Sequence, residues 1–83
     1  MKANEAKKLL EAGNRVTAYG NGYYVFIEYA ETANEDGERF YWVNANDERE
    51  DGYWERQESW KATLAYLKEL GVSLEDAEYE KAA

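Results

Sequence analysis

The sequence predicts an α+β domain: a three-stranded antiparallel sheet flanked by an N-terminal and a C-terminal helix, in the order α-β-β-β-α, with a short C-terminal helical tail. Three observations predict it. Apolar residues recur at helical spacing near both ends of the chain, in Ala6, Leu9 and Leu10 and again in Trp60, Leu64 and Leu67. Between them lie the runs RVTAY, YYVFIEYAE and ERFYWV, rich in the aromatic and branched residues that suit a pleated, half-buried surface. The 83 residues are enough for one hydrophobic core, so the expectation is a single domain over 1–83.

The first helix is expected over Asn4 to Ala12, with Asn4 as its cap and Gly13 where helices commonly end. RVTAY from Arg15 and YYVFIEYAE from Tyr23 are joined by GNG, a hairpin signature. The polar stretch Thr32 to Gly37 supplies turn residues before the third run, Glu38 to Val43. Asn44 to Gly52, NANDEREDG, reads as a solvated loop.

Tyr53, Trp60, Leu64 and Leu67 then favour one long second helix with Asp51 as its cap. The competing reading makes YWERQ a short fourth strand, with Ser59 capping the helix. Ser73, with Asp76 three residues on, has the form of a capping box and predicts a terminal helix over Leu74 to Glu80.

Neither face of this sheet is polar. Tyr23, Val25, Ile27 and Tyr29 point one way and Tyr24, Phe26, Glu28 and Ala30 the other, while Phe40 and Trp42 alternate with Tyr41 and Val43. Two helices cover one face of so small a sheet. The other is expected either to lie under Val72, Leu74 and Tyr79 of the tail or to form a dimer or partner interface.

Most enzymatic chemistry fails at the inventory. The chain has no histidine and no cysteine, and its serines, Ser59 and Ser73, are explained as capping or loop residues. The usual ligands of transition metals are thus missing. Asn44, Asn46, Glu48 and Glu55 alternate as in a calcium loop, but Arg49 stands where that loop needs glycine. GNG lacks the longer glycine framework and the lysine of a phosphate-binding loop. The expectation is no catalytic residue, no cofactor and no metal. Trp42 and Trp60 are expected in the core, leaving Trp54 as the candidate contact residue among the tryptophans.

Charge is the most informative property. The net charge is −8, yet Lys2, Lys7, Lys8 and Arg15 against Glu5 and Glu11 give residues 1–27 a net of +2. Between Glu28 and Glu58 stand Glu28, Glu31, Glu35, Asp36, Glu38, Asp47, Glu48, Glu50, Asp51, Glu55 and Glu58, opposed by Arg39, Arg49 and Arg56. Such a field repels phosphate backbones and anionic membranes and attracts basic proteins over about 8–10 Å at cellular salt. The expected partner is a basic, nucleic-acid-binding protein, with no direct nucleic acid or membrane contact. These carboxylates, with Tyr53 and Trp54 as aromatic anchors, form the candidate partner-binding set. The bland alternative is a solvated, solubilising face.

No apolar run is long enough to span a membrane, and MKANEAKKLL lacks the apolar core of a signal peptide, so a cytoplasmic address is expected. The α-β-β-β-α order resembles that of the double-stranded-RNA-binding domain. That family grips phosphates with a lysine-rich run at the start of its last helix, where this chain reads EREDGYWERQESWKA, so the resemblance extends to architecture alone. In character, small, acidic and without catalytic groups, the chain resembles phage-encoded inhibitors of host defence such as anti-CRISPR proteins and DNA mimics. The alternatives are a small dimerising structural or regulatory domain and an immunity-type inhibitor of a basic toxin; the chain is expected to be a monomer or a homodimer.

Overall fold

Asn21 and Gly22 organise the sheet. Both have positive φ, 50° and 79°, the backbone of the two-residue turn whose twist matches that of the strands it joins. In the computed structural model, which describes residues 1–33, 39–49 and 52–82, this turn links β1 (Asn14–Gly20) to β2 (Tyr23–Ala33). The other elements are α1 (Ala3–Glu11), β3 (Arg39–Asp47), β4 (Gly52–Ser59), α2 (Trp60–Leu70) and β5 (Ser73–Lys81). The sheet has five strands, all antiparallel, in the order β4-β3-β2-β1-β5.

This corrects the expected three-stranded sheet flanked by N- and C-terminal helices. Gly52–Ser59 is a strand that pairs with β3 without interruption from Asp47↔Gly52 to Phe40↔Ser59. Tyr53 belongs to it and not to the stripe of α2; aromatic side chains lose rotamer freedom in a helix and gain cross-strand neighbours in a sheet. The second helix starts only after Ser59, whose Oγ accepts from the Ala62 N–H at 3.2 Å. Asn44 to Asp47 are likewise strand and not loop. Ala45 is fully buried two residues after Val43, so the two-residue period runs on through the asparagines.

The tail is also a strand. Ser73 Oγ accepts from the Glu75 N–H at 3.0 Å, two residues on, and starts no helix. A seven-residue helix is marginal alone, whereas the outer edge of β1 presents unpaired backbone groups that β5 satisfies, from Asn14↔Lys81 to Thr17↔Glu78. A bulge between Thr17 and Tyr19 brings Ser73 opposite Tyr19. The first helix begins at Ala3 with Lys2 in the cap position, and Asn4 lies inside it.

Both helices pack on one face of the sheet. Leu10 of α1 and Leu67 of α2 join Val16, Ala18, Val25, Ile27, Tyr41, Val43, Ala45 and Val72 in a single core. Complete burial of Leu10, Val16, Val25, Ile27 and Val43 contributes about 1.5–3 kcal/mol each. Helix α2 ends on Gly71 at φ 78°, where Val72 N–H reaches Leu67 O at 2.9 Å and Gly71 N–H reaches Lys68 O at 3.1 Å. Asn21 Nδ2 donates to Leu70 O at 3.0 Å, fastening the hairpin turn to this helix end. Gly20 must be glycine at this junction, since a Cβ would stand 2.8 Å from the Gly71 carbonyl oxygen. No helix among the described residues is long and apolar enough to cross a membrane.

Candidate interaction face

Strand alternation that sends Val16, Val25 and Val43 to the helices sends their neighbours to the opposite face. Register aligns these neighbours in rows across the sheet. One row passes through Glu80, Arg15, Glu28 and Trp42. The next runs Glu78, Thr17, Phe26, Asn44 and Glu55, and a third carries Tyr19, Tyr24 and Asn46. No helix among the described residues packs on this side. Val72 and Leu74, expected to fold over it, join the core instead, and Tyr79 is 58% exposed on the edge strand.

Aromatic and charged groups are ordered on the open face. Tyr24 and Phe26 meet edge to face with centroids 5.5 Å apart. Arg15 lies over Phe26, 5.2 Å from its centroid, and its Nε donates to Glu28 Oε1 at 2.7 Å, with Glu80 3.7 Å from Nη1. Trp42 is 43% exposed, which corrects its expected place in the core. Trp60 does pack against the core, its ring 5.1 Å from that of Tyr41. The open face dips into a depression of about 510 Å³ lined by Arg15, Phe26, Glu28, Trp42, Asn44 and Glu55.

The charge of the face is one-sided. Glu28, Glu55, Glu78 and Glu80 stand there against Arg15 alone among the described residues. The helices carry Lys7, Lys8, Lys61 and Lys68 against Glu5, Glu11 and Glu69. The open face is therefore the anionic side of the described molecule and the helical layer is not.

The carboxylates singled out in the sequence fall in different places. Glu28 and Glu55 lie on the open face. Asp47 and Glu48 are at the far end of β3 from Arg39, roughly 26 Å away at about 3.3 Å per residue. Asp47 is engaged by Arg49: its Oδ1 accepts from the backbone N–H at 2.9 Å and from Nε at 3.0 Å, and these bonds hold its carboxyl below the usual value. Arg49 also lies over the Tyr23 ring. Glu58 is half-buried in β4, opposite Tyr41. Glu31, Tyr53 and Trp54 have their backbones in β2 and β4, and their side chains are outside the described set. Glu35, Asp36, Glu38, Glu50 and Asp51 lie outside the described residues.

Comparison with known proteins adds no relative. No family model, curated protein or solved structure matches the chain. The site is therefore read from its own chemistry. No group of three or more metal-ligating side chains occurs among the described residues, and Asn44 and Glu55, spaced as in a calcium loop, are cross-strand partners in the sheet. Sequence reasoning passed over Arg15, Glu78 and Glu80. In the helix expected over Leu74 to Glu80 the alternation of the last two with Tyr79 carries no meaning; on a strand it places both on the open face.

Proposed function

We propose that this protein is a non-enzymatic inhibitor that occupies the nucleic-acid-binding surface of a basic protein, its carboxylates standing in for phosphates, in the manner of phage anti-defence proteins. The observation that carries this reading is the uncovered sheet face on which Glu28, Glu55, Glu78 and Glu80 surround exposed Trp42 and half-buried Phe26, with Arg15 as the single opposing charge among the described residues. Carboxylates on a sheet are held at fixed spacings, and aromatic groups among them supply the short-range contact energy that exposed charges lack. Long-range attraction from a net charge of −8 speeds encounter with a cationic groove. A two-fold dimer through the same face would set these four carboxylates against their own copies, so a partner of opposite charge fits it better.

The test is capture from a lysate with the tagged protein at low and moderate salt, followed by elution with duplex DNA or RNA. Release of basic nucleic-acid-binding proteins by the nucleic acid supports the reading. Captured proteins that ignore the competitor, or none captured, would sink it.

A further inference from the structure

The open face already shows how it holds a guanidinium. Arg15 rests on the Phe26 ring, donates to Glu28 and has Glu80 3.7 Å from Nη1, so an aromatic surface and carboxylates on the neighbouring strands hold it. The adjoining depression, which Arg15 itself lines on the Phe26 side, repeats these parts on its far side. Trp42 supplies a larger ring, 43% exposed, and Glu55 a carboxylate on β4; the Asn44 side-chain oxygen, between Phe26 and Glu55 in the row, accepts from Asn46 Nδ2 at 2.7 Å and keeps a second lone pair. Glu55 has no ion-pair partner among the described residues.

We infer that the depression between Phe26 and Trp42 receives an arginine side chain of the partner, its guanidinium over Trp42 and its N–H groups donating to Glu55 and to the Asn44 side-chain oxygen. This rests on the proposed binding of a basic protein and names the contact that anchors it. Arginine fits better than lysine for two reasons. A planar guanidinium stacks on an indole while its edge donates to carboxylate, and it is less strongly hydrated than an ammonium, so it gives up less on entering an aromatic-walled site. A volume of about 510 Å³ admits the head group together with part of its stem.

The experiment is titration of the full chain, followed by amide and indole NMR shifts, with a hexa-arginine peptide and, separately, a hexa-lysine peptide at moderate salt. The expected result is arginine-selective shifts at Phe26, Trp42, Asn44 and Glu55. Trp42→Ala and Glu55→Gln should each weaken hexa-arginine binding roughly five- to tenfold. Glu75→Gln removes the same charge from exposed β5, away from the depression, and should change affinity less than twofold. Equal losses for Glu55→Gln and Glu75→Gln, or equal binding of the two peptides, would overturn the receptor. Either result leaves the proposed inhibition standing on its own nucleic-acid competition, whereas failure of that competition with the peptide site intact would overturn the inhibition alone. Trp42→Phe keeps a ring at an exposed position and should retain part of the affinity if the indole stacks on the guanidinium.

Discussion

Arg15 and Glu28 are locked together across the β1–β2 pair, Nε to Oε1 at 2.7 Å, with the guanidinium stacked over Phe26. Glu80 approaches the same guanidinium from β5, at 3.7 Å. The one described cation of the open face is thereby shared between two carboxylates on opposite sides of it. It bridges side chains of three strands and neutralises part of the field that would meet a partner.

Removing that cation separates stability from recognition. Arg15→Met keeps much of the apolar stem over Phe26 but frees Glu28 and Glu80. The ion pairs are partly exposed, so urea denaturation should show a loss below about 1 kcal/mol. Affinity for a basic partner should rise severalfold, most at low salt. Weaker binding in this variant would mean that the partner docks elsewhere.

Asp47 predicts the opposite pattern. Its carboxylate accepts from the Arg49 backbone and side chain, and those bonds depress its pKa below the ordinary 3.8. A depressed acid contributes stability that is present above its unfolded value and is lost as pH falls through the folded one. Asp47→Asn should therefore flatten the acid limb of the stability curve below about pH 4 while leaving partner binding nearly unchanged. A carboxyl-carbon NMR titration of the wild type should place the Asp47 midpoint below 3.8.

Where α2 begins can be measured through Ser59. Its hydroxyl caps the helix by accepting from Ala62 N–H, and Thr63 Oγ1 donates to the Ser59 carbonyl at 2.8 Å. Ser59→Ala should cost about 1 kcal/mol and raise amide exchange over residues 60–63. A helix running from Asp51 through Ser59 would hardly notice the change.

The tail is the sharper test of the five-strand arrangement. Secondary chemical shifts over Leu74–Glu80 should be those of a strand. Truncation after Val72 removes Leu74 and Ala77 from the core and leaves β1 as a bare edge. The loss should be about 3 kcal/mol or more by denaturation.

These elements also show what was legible in the sequence. Asn21-Gly22, the branched and aromatic runs and the α2 stripe act locally, and the hairpin and both helices follow from them. What escaped is decided at long range. YWERQ and SLEDAEYEK fit a helix or a strand by their own pattern, and the bare edges of β3 and β1 choose the strand. A helix in place of β5 takes Glu78 and Glu80 off the open face, and a helix in place of β4 leaves Glu55 without a register against Asn44 and Trp42. The two-residue period did show that both faces carry aromatics; which face stays open depended on the tail, whose Val72 and Leu74 turn into the core.

Tyr41 supplies a test of the covered face, independent of any partner. It is 1% exposed, its ring packs on Trp60 and Tyr29, and its hydroxyl lies 3.5 Å from Glu11 Oε1. Burial pushes the hydroxyl up to about 12, and the Glu11 carboxylate adds to the effect by opposing a second negative charge. Because the folded value lies above the unfolded one, near 10, Tyr41 contributes stability that is fully present below pH 10. That contribution disappears as pH rises from 10 towards 12, over which the unfolded chain releases a proton that the folded chain keeps. Tyr41→Phe removes the titrating group at almost constant volume, so its stability near neutrality should lie within about 1 kcal/mol of the wild type. Between pH 9.5 and 11.5 the wild type should then lose on the order of 2 kcal/mol more than the variant in urea denaturation. Parallel curves for the two proteins would show that Tyr41 ionises as freely in the folded state as in the unfolded one, which a ring sealed between α2 and the sheet does not permit.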